Sequence, residues 1–317
     1  MRICVVLDEA TDDCVRFDLM VGIARSTPGI PLMTARTAKQ EATVRDQDDD
    51  AQPATSTYLR YLEETDALRE QTNLDILAAL DLPTGSSGLD VGCGVGTQAL
   101  MLAAAIGPQG RVTGLDIQPE FLERARAVTT AKGMSDRVTF EEGDFSDRLP
   151  FDDGAFDWVW SSDCLGYLPP SEEVMRVIRP GGSLNVLFWS SEQLLPGNPL
   201  LESRLKATSG GLAPFGLQSK PDTHPLRALT GVREAGLIDT KVLTFVTSVY
   251  APLSPEIRRA MTDILEMRWP DVEPELSQED VELYRRLTDP ASPEFILNLP
   301  DYYGFYTYSV FRGWVPT

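Results

Sequence analysis

Residues 86–97, SSGLDVGCGVGT, constrain the fold of this chain more than any other stretch. The apolar residues before the glycines are typical of the end of a buried strand, and Gly92, Gly94 and Gly96 form a glycine-rich turn. Glycine adopts positive φ without strain and lets a ligand lie against bare main chain. Thr97 then begins an alanine- and leucine-rich run that favours a helix, whose first amides face the turn. This strand–turn–helix predicts a site for part of a nucleotide-like ligand.

The glycine spacing separates two ligand classes. The dinucleotide fingerprint is G-x-G-x-x-G, with a pyrophosphate on the helix N-terminus. Here the third glycine comes one position early, and Thr97 stands where that fingerprint has Gly or Ala. Asp90 puts a carboxylate next to the turn, which would repel a pyrophosphate and suits a cation. The pattern resembles motif I of class I S-adenosylmethionine-dependent methyltransferases of the small-molecule, quinone-methyltransferase-like type (type 11), and the resemblance continues along residues 86–190.

Strands and helices alternate after the glycine turn. Apolar runs predict strands at 111–117, 138–144, 156–162 and 183–189, with helices between them. Helical crossovers between apolar strands predict a doubly wound, Rossmann-like α/β fold with a mainly parallel sheet. The resemblance implies seven strands in all, of which the last, predicted at 305–314, runs antiparallel.

The sequence also predicts how the chain is divided. Residues 1–52 carry acidic runs that are typical of a partly flexible N-terminal extension. The resemblance implies that residues 53–317 are the methyltransferase domain, and leucines at helical spacing over 57–82 predict one or two helices ahead of the first strand. Loop-rich and helix-rich stretches at about 190–224 and about 252–298 predict insertions that form a helical cap over the substrate.

Composition excludes several classes of partner. The formal net charge is −20 over 317 residues, whereas DNA, RNA or an anionic membrane needs a basic face. The four cysteines show no metal-ligand spacing, so we predict no metal. No signal peptide and no apolar stretch of bilayer length is present, which predicts a cytoplasmic protein without membrane insertion. Nothing in the sequence indicates the oligomeric state.

Acidic residues follow the next two strands, where a nucleoside would contact them. Asp116 ends a strand about 20 residues after the glycine turn, the position of an acid that accepts hydrogen bonds from a ribose; capping of the next helix is the alternative. The resemblance implies that Asp144 pairs with the adenine amino group, and a turn carboxylate bonded to its own backbone is the alternative. The cofactor that the resemblance implies is S-adenosyl-L-methionine, and its predicted contacts are Asp90, Gly92, Cys93, Gly94, Gly96, Thr97, Asp116, Ile117, Gly143, Asp144, Phe145, Ser161 and Ser162.

Methyl transfer needs little besides positioning, because a sulfonium methyl is already a strong electrophile. Where the acceptor must lose a proton, Asp163 and Tyr167 are the catalytic candidates, since they follow the fourth strand beside the predicted transfer point. Helix capping by Asp163 and packing by Tyr167 are the alternatives. His224, the one histidine of the chain, lies in a loop-rich stretch and is expected to be structural, and Cys164 is expected to be an inert thiol.

The acceptor is predicted from the aromatic residues of the later strands, among them Trp160, Phe188 and Trp189. A cap over the strand ends would enclose an apolar, aromatic pocket, which favours a small organic acceptor over nucleic acid. The sequence does not choose among oxygen, nitrogen and carbon as the methylated atom. Two other classes stay open at this point. One is an NAD(P)-dependent oxidoreductase, and the other is a non-catalytic module that binds an adenosyl ligand.

Overall fold

The computed structural model describes residues 65–165, 170–212 and 225–317. The predicted extension 1–52 lies outside these residues, as do Tyr167 and His224. What the sequence predicts for them therefore stays a prediction.

Seven strands of the described residues form one sheet. Their order is β3-β2-β1-β4-β5-β7-β6, with β1 to β5 parallel to one another and β7 antiparallel to both β5 and β6. The prediction of a doubly wound, mainly parallel sheet with an antiparallel last strand is confirmed. The strands are β1 (Ser87–Val91), β2 (Arg111–Asp116), β3 (Val138–Glu142), β4 (Phe156–Ser162), β5 (Ile178–Gln193), β6 (Ile238–Tyr250) and β7 (Tyr303–Trp314).

Helices lie between most of the strands, and the described parts of both predicted insertions contain helices. Three of them begin with a proline, Pro119, Pro199 or Pro255, at a position where the missing N–H has no helical partner to lose. In the described part of the chain, every helix falls short of the length and hydrophobicity that a membrane span requires. The helices are α1 (Asp66–Leu80), α2 (Thr97–Ala105), α3 (Pro119–Ala131), α4 (Glu172–Arg176), α5 (Pro199–Ala207), α6 (Ser209–Leu212), α7 (Ala228–Glu234), α8 (Pro255–Arg268) and α9 (Gln278–Thr288).

The sheet buries apolar side chains on both faces, and β1 shows how. Leu89 and Val91 belong to the core that α4 and α7 cover. Gly88 and Asp90 alternate to the other face, which α1, α2, α3 and the insertion helices α5, α8 and α9 cover. Gly88 leaves room for the indole of Trp158, since a Cβ there would lie 2.0 Å from Trp158 Cη2. The carboxyl ends of β1 and β4 lie next to each other where the strand order reverses, which is where ligands bind in such sheets.

Two segments differ from the prediction by more than one or two residues. The fifth strand was predicted at 183–189, but β5 runs from Ile178 to Gln193, because β7 pairs with it as far as Gln193. The stretch 190–224 was predicted to be loop-rich, yet α5 and α6 lie within it, since Leu201 and Leu205 of α5 bury their side chains completely or nearly so.

Helices of the two predicted insertions contact each other. Arg204 of α5 donates to both carboxylate oxygens of Asp280 in α9, at 2.7 and 2.8 Å. The main-chain N–H of Ser209 donates to both oxygens of Glu275, which precedes α9, at 2.9 and 3.1 Å. These contacts join segments that lie far apart in the sequence into one layer.

Glu192 connects that layer to the sheet. Its side chain is 2% exposed. Its Oε1 lies 2.9 Å from Nη2 of Arg268 in α8 and 3.7 Å from Nζ of Lys206 in α5. Its Oε2 accepts a 2.7 Å hydrogen bond from the indole N–H of Trp189. A buried carboxylate with these partners is costly to alter, because neutralising it removes the negative charge that Arg268 contacts at 2.9 Å.

We expect Glu192→Gln to lower the free energy of unfolding by about 3 kcal/mol, the range for breaking a buried ion pair from one side. Denaturant unfolding measures the change. Glu266→Gln is the matched control, because Glu266 is exposed on α8, and it should change stability by less than about 0.5 kcal/mol. Equal effects of the two substitutions would contradict the assigned role of Glu192.

Candidate functional site

The turn between β1 and α2 is formed by glycines in the left-handed region. Gly92, Gly94 and Gly96 have φ values of 73°, 51° and 79°, which a side chain would strain. The N–H groups of Gly92 and Cys93 both donate to the carbonyl of Leu115 in β2, at 2.8 and 3.0 Å. The turn is therefore held against the neighbouring strand.

Close packing on the turn excludes side chains at two of these glycines. A Cβ on Gly92 would lie 2.3 Å from Cys164 Sγ, and one on Gly96 would lie 2.8 Å from Phe140 Cζ. These approaches account for glycine by packing alone. The glycines therefore do not distinguish one ligand from another, whereas the carboxylates beside the turn do.

Asp116 holds the turn from the end of β2. Its Oδ2 accepts a 2.8 Å hydrogen bond from the N–H of Gly94, and its Oδ1 accepts one of 2.9 Å from the N–H of Gln118, the residue before α3. The carboxylate can accept further hydrogen bonds, because its two oxygens offer about four lone-pair sites. Ile117 beside it is 56% exposed, so an apolar side chain borders the acid as the sequence predicts.

Asp90 is buried next to the same turn. Its side chain is 1% exposed, and among the described residues its Oδ2 has no hydrogen-bond partner. Burial, together with the negative charge of Asp116, raises the pKa of Asp90 to about 8. A buried carboxylate oxygen without a donor needs an explanation, and a positively charged ligand supplies one.

Asp144 follows β3 in a turn of its own. Its Oδ1 accepts hydrogen bonds from the N–H of Ser146, at 2.7 Å, and from the Ser146 hydroxyl, and these bonds lower the pKa of Asp144. This is the turn-carboxylate alternative that the sequence left open. The N–H of Gly143 donates to the Asp116 carbonyl at 3.1 Å, which holds the end of β3 beside β2. Phe145 is half-buried and packs on the core under α4.

The two serines at the end of β4 differ in role. Ser161 is fully buried, donates to the Val91 carbonyl at 2.9 Å and accepts from the N–H of Leu165 at 3.1 Å. These two bonds of its hydroxyl join β1 to β4 and to the residues that follow it. Ser162 is half-buried and accepts a 3.1 Å hydrogen bond from Nη2 of Arg69 in α1.

Asp163 is held in an unusual backbone conformation, with φ at 51°. Its N–H donates to the carbonyl of Leu187 at 2.9 Å, and its Oδ1 accepts from the N–H of Trp189 at 2.8 Å. Surrounding protein raises the pKa of Asp163 by desolvation, although 35% of the side chain is exposed, and the positive charge of Arg69 opposes that rise. Non-glycine residues in this region are uncommon and gather at functional sites, although Asp tolerates it better than most.

Aromatic rings lie beside Asp163. The indole of Trp189 stacks on the ring of Tyr306 at 4.5 Å and meets the ring of Tyr308 edge-on at 5.6 Å. The guanidinium of Arg69 lies 4.7 Å from the centre of the Tyr308 ring. A cation, a carboxylate and a half-buried indole therefore meet at the carboxyl ends of β4 and β5.

The thiols near the turn are not reactive groups. Cys93 is buried, and burial together with Asp90 and Asp116 raises the pKa of its thiol well above the usual range. The same causes raise the pKa of the Cys164 thiol to about 12. Both thiols stay protonated at neutral pH, which agrees with the expectation of an inert Cys164. No cluster of metal-binding side chains is found among the residues that the structure describes.

Arg69 was missed by the sequence analysis. It lies in a helix whose leucine pattern predicts only a packed face, and nothing in that pattern says which strand end an arginine of the helix reaches. Trp189 was recognised as aromatic, but its contact with Asp163 depends on the end of β5, which was predicted four residues too short.

Part of the chain is similar to known methyltransferases. Residues 89–182 match the family model described as a methyltransferase domain. Methyltransferase GfsG of Streptomyces halstedii is 36% identical over 121 residues, which cover 37% of this chain and 42% of that protein. A probable tocopherol O-methyltransferase of Oryza sativa subsp. japonica is 35% identical over 120 residues, covering 37% of this chain and 32% of that protein.

Among solved structures, the chain is similar to phosphoethanolamine N-methyltransferase 2 of Haemonchus contortus, with a TM-score of 0.49, 18% identity, and coverage of 83% of this chain and 59% of that chain. The matched segment spans less than half the length of the two curated relatives. The sheet order and the match over residues 89–182 agree with the fold of class I methyltransferases. The resemblance seen in the sequence is thereby confirmed.

We expect the stability of the ligand-free protein to depend on Asp90 ionisation. Because the folded-state pKa of about 8 lies above the ordinary 3.8, the folded protein binds this proton more tightly, and stability falls as the pH rises between those values. Asp90→Asn has no carboxyl group to ionise, so its stability does not fall for this reason as the pH rises. The unfolding midpoint of Asp90→Asn relative to the parent protein should therefore increase from pH about 5 to pH about 8. A difference that does not change with pH would contradict the assignment.

Proposed function

We propose that this protein transfers a methyl group from S-adenosyl-L-methionine to a small organic acceptor. The observation that carries the proposal is the buried Asp90 carboxylate beside the left-handed glycine turn, with an oxygen that lacks a donor among the described residues. A sulfonium cofactor with an amino group is positive where a dinucleotide is negative. A positive ligand favours the ionised form of Asp90 and gains an ion pair with it, whereas a negative ligand does not, so Asp90 fits the first ligand.

The residues present fit the cofactor in three places. Asp116 keeps lone pairs for the ribose hydroxyls after holding Gly94. Ile117 offers an exposed apolar side chain to the adenine. Asp144 would read the adenine amino group with the oxygen that Ser146 does not occupy. The residues that we propose to hold the cofactor are Asp90, Gly92, Gly94, Gly96, Thr97, Asp116, Ile117, Gly143, Asp144, Phe145 and Ser162, with Cys93 contributing through its main chain.

The bound cofactor supplies an electrophilic methyl group. The protein orients the acceptor and, where needed, accepts its proton. Trp189 is half-buried and offers aromatic surface that orients an acceptor, and the buried rings of Tyr306 and Tyr308 hold its indole in place. Asp163 would accept a proton from an acceptor that must lose one, because desolvation makes its carboxylate more basic. We propose Asp163 as the catalytic residue, and Tyr167, outside the described residues, stays a second candidate.

The alternatives receive less support. An NAD(P)-dependent oxidoreductase would place a pyrophosphate beside Asp90. Its fingerprint has Gly or Ala at the position where Thr97 begins α2. A non-catalytic module would have no use for a desolvated Asp163 next to aromatic side chains. The rice relative is named a tocopherol O-methyltransferase, which favours a small organic acceptor for this chain too. The net charge of −20 disfavours nucleic acid, and the cytoplasmic compartment stays a prediction.

Calorimetric titration tests the cofactor class. S-adenosylmethionine and S-adenosylhomocysteine should bind, and NADH should not. Binding of NADH without binding of either adenosyl ligand would overturn the proposal.

Asp116→Ala should weaken binding of S-adenosylhomocysteine by about 1.5–3 kcal/mol, the value of hydrogen bonds to a charged acceptor. Glu142→Gln is the matched control, because Glu142 ends the neighbouring strand β3 opposite Asp116 and is exposed. Its affinity should equal that of the parent protein. Unchanged affinity in Asp116→Ala would remove this residue from the site.

A further inference from the structure

Arg69 and Asp163 present a cation and an anion side by side. Arg69 Nη2 lies 3.8 Å from Asp163 Oδ2, and the two side chains are 16% and 35% exposed. Ser162 bridges them, because its hydroxyl accepts from Arg69 at 3.1 Å and donates to Asp163 Oδ2 at 3.3 Å. Two atoms at this separation can both contact one oxygen at the usual hydrogen-bond distance of about 2.8 Å. A hydroxyl oxygen of a bound molecule can therefore contact both groups on the side that the Ser162 hydroxyl does not occupy.

A flat apolar surface adjoins that position. The half-buried indole of Trp189 lies on the residue whose N–H holds Asp163 Oδ1 at 2.8 Å. The ring of Tyr308 is 2% exposed and supports this arrangement from within the core, because it lies under the Arg69 guanidinium and against the edge of the same indole. Aromatic rings pack well on such surfaces. The group that carries the hydroxyl is therefore expected to be flat and unsaturated.

The charges select the form in which such a molecule binds. A guanidinium at this distance stabilises an oxyanion and repels an ammonium ion. Desolvation makes the Asp163 carboxylate a better proton acceptor. The arrangement favours an ionisable hydroxyl over an amine.

We propose that the acceptor is a phenol or enol, whose hydroxyl contacts Arg69 and Asp163 and loses its proton to Asp163. This inference rests on the proposed function, and it narrows the acceptor class that the proposed function leaves open. The proposed acceptor class allows methylation either of the oxygen or of a ring carbon that shares the negative charge.

In the methyl transfer, each bond that forms is matched by one that breaks. The O–H bond breaks, and its proton passes to Asp163 Oδ2. The electron pair left on oxygen, or delocalised to a ring carbon, forms the new bond to the methyl carbon. The pair of the breaking C–S bond goes to sulfur and leaves a neutral thioether. Asp163 then releases its proton to solvent.

Binding of 4-nitrophenol to the protein saturated with S-adenosylhomocysteine tests the proposal, because the phenolate form absorbs visible light and the neutral form does not. At a pH below the pKa of the free phenol, visible absorbance should rise on binding. Arg69→Met should weaken phenolate binding at least about tenfold through loss of a charge-assisted contact. Arg259→Met, an exposed arginine on α8, is the control and should bind like the parent protein. Asp163→Asn should still bind the phenolate through Arg69 and should lose methylation of the phenol.

The outcomes separate the two proposals. If S-adenosylhomocysteine itself does not bind, the proposed function fails, whatever the phenol does. If it binds, but 4-nitrophenol does not bind, binds in its neutral form, or binds Arg69→Met as tightly as the parent protein, the phenol proposal is overturned and the methyltransferase proposal stands. The unfolding midpoint of each variant shows whether it is folded under the conditions of the titration.

Discussion

The left-handed conformation of Gly92, Gly94 and Gly96 determines how the carboxyl edge of the sheet is arranged. Only a chain turning in this way brings two successive N–H groups onto the Leu115 carbonyl and a third onto Asp116. Those bonds align β1 with β2 and start α2 at the edge of the sheet. The main chain of the turn and the carboxyl groups of Asp90 and Asp116 lie next to one another at this edge.

The electrostatics of this edge follow from where each acid lies. Asp90 is buried without a donor for one oxygen, Asp116 is bonded to main-chain amides, and Asp144 is bonded within its own turn. Asp163 has a cationic neighbour in Arg69. The first three acids favour a positively charged ligand that carries no phosphate. The Arg69–Asp163 pair suits an acceptor that becomes negatively charged when it loses a proton. In the proposed function, separate groups at this edge of the sheet therefore contact the electrophile and the nucleophile.

Much of the fold could be predicted because local patterns decide it. The fourth strand was predicted at its observed bounds, since an aromatic apolar run ends where Asp163 turns the backbone to positive φ. The end of β5 was not predictable, because its polar last residues become a strand only through pairing with β7, more than a hundred residues away. The acids of the site could be found from their positions after strands. Their hydrogen bonds, the burial of Ser161 and the approach of Arg69 depend on tertiary contacts that no local pattern records.

A crystal structure of the protein with S-adenosylhomocysteine tests the central claim most directly. The account predicts the adenosyl group over the main chain of Gly92–Gly96, with the ribose hydroxyls on the Asp116 carboxylate and the amino group towards Asp90. Ligand density elsewhere on the chain, or a ligand whose ribose contacts neither acid, would contradict it.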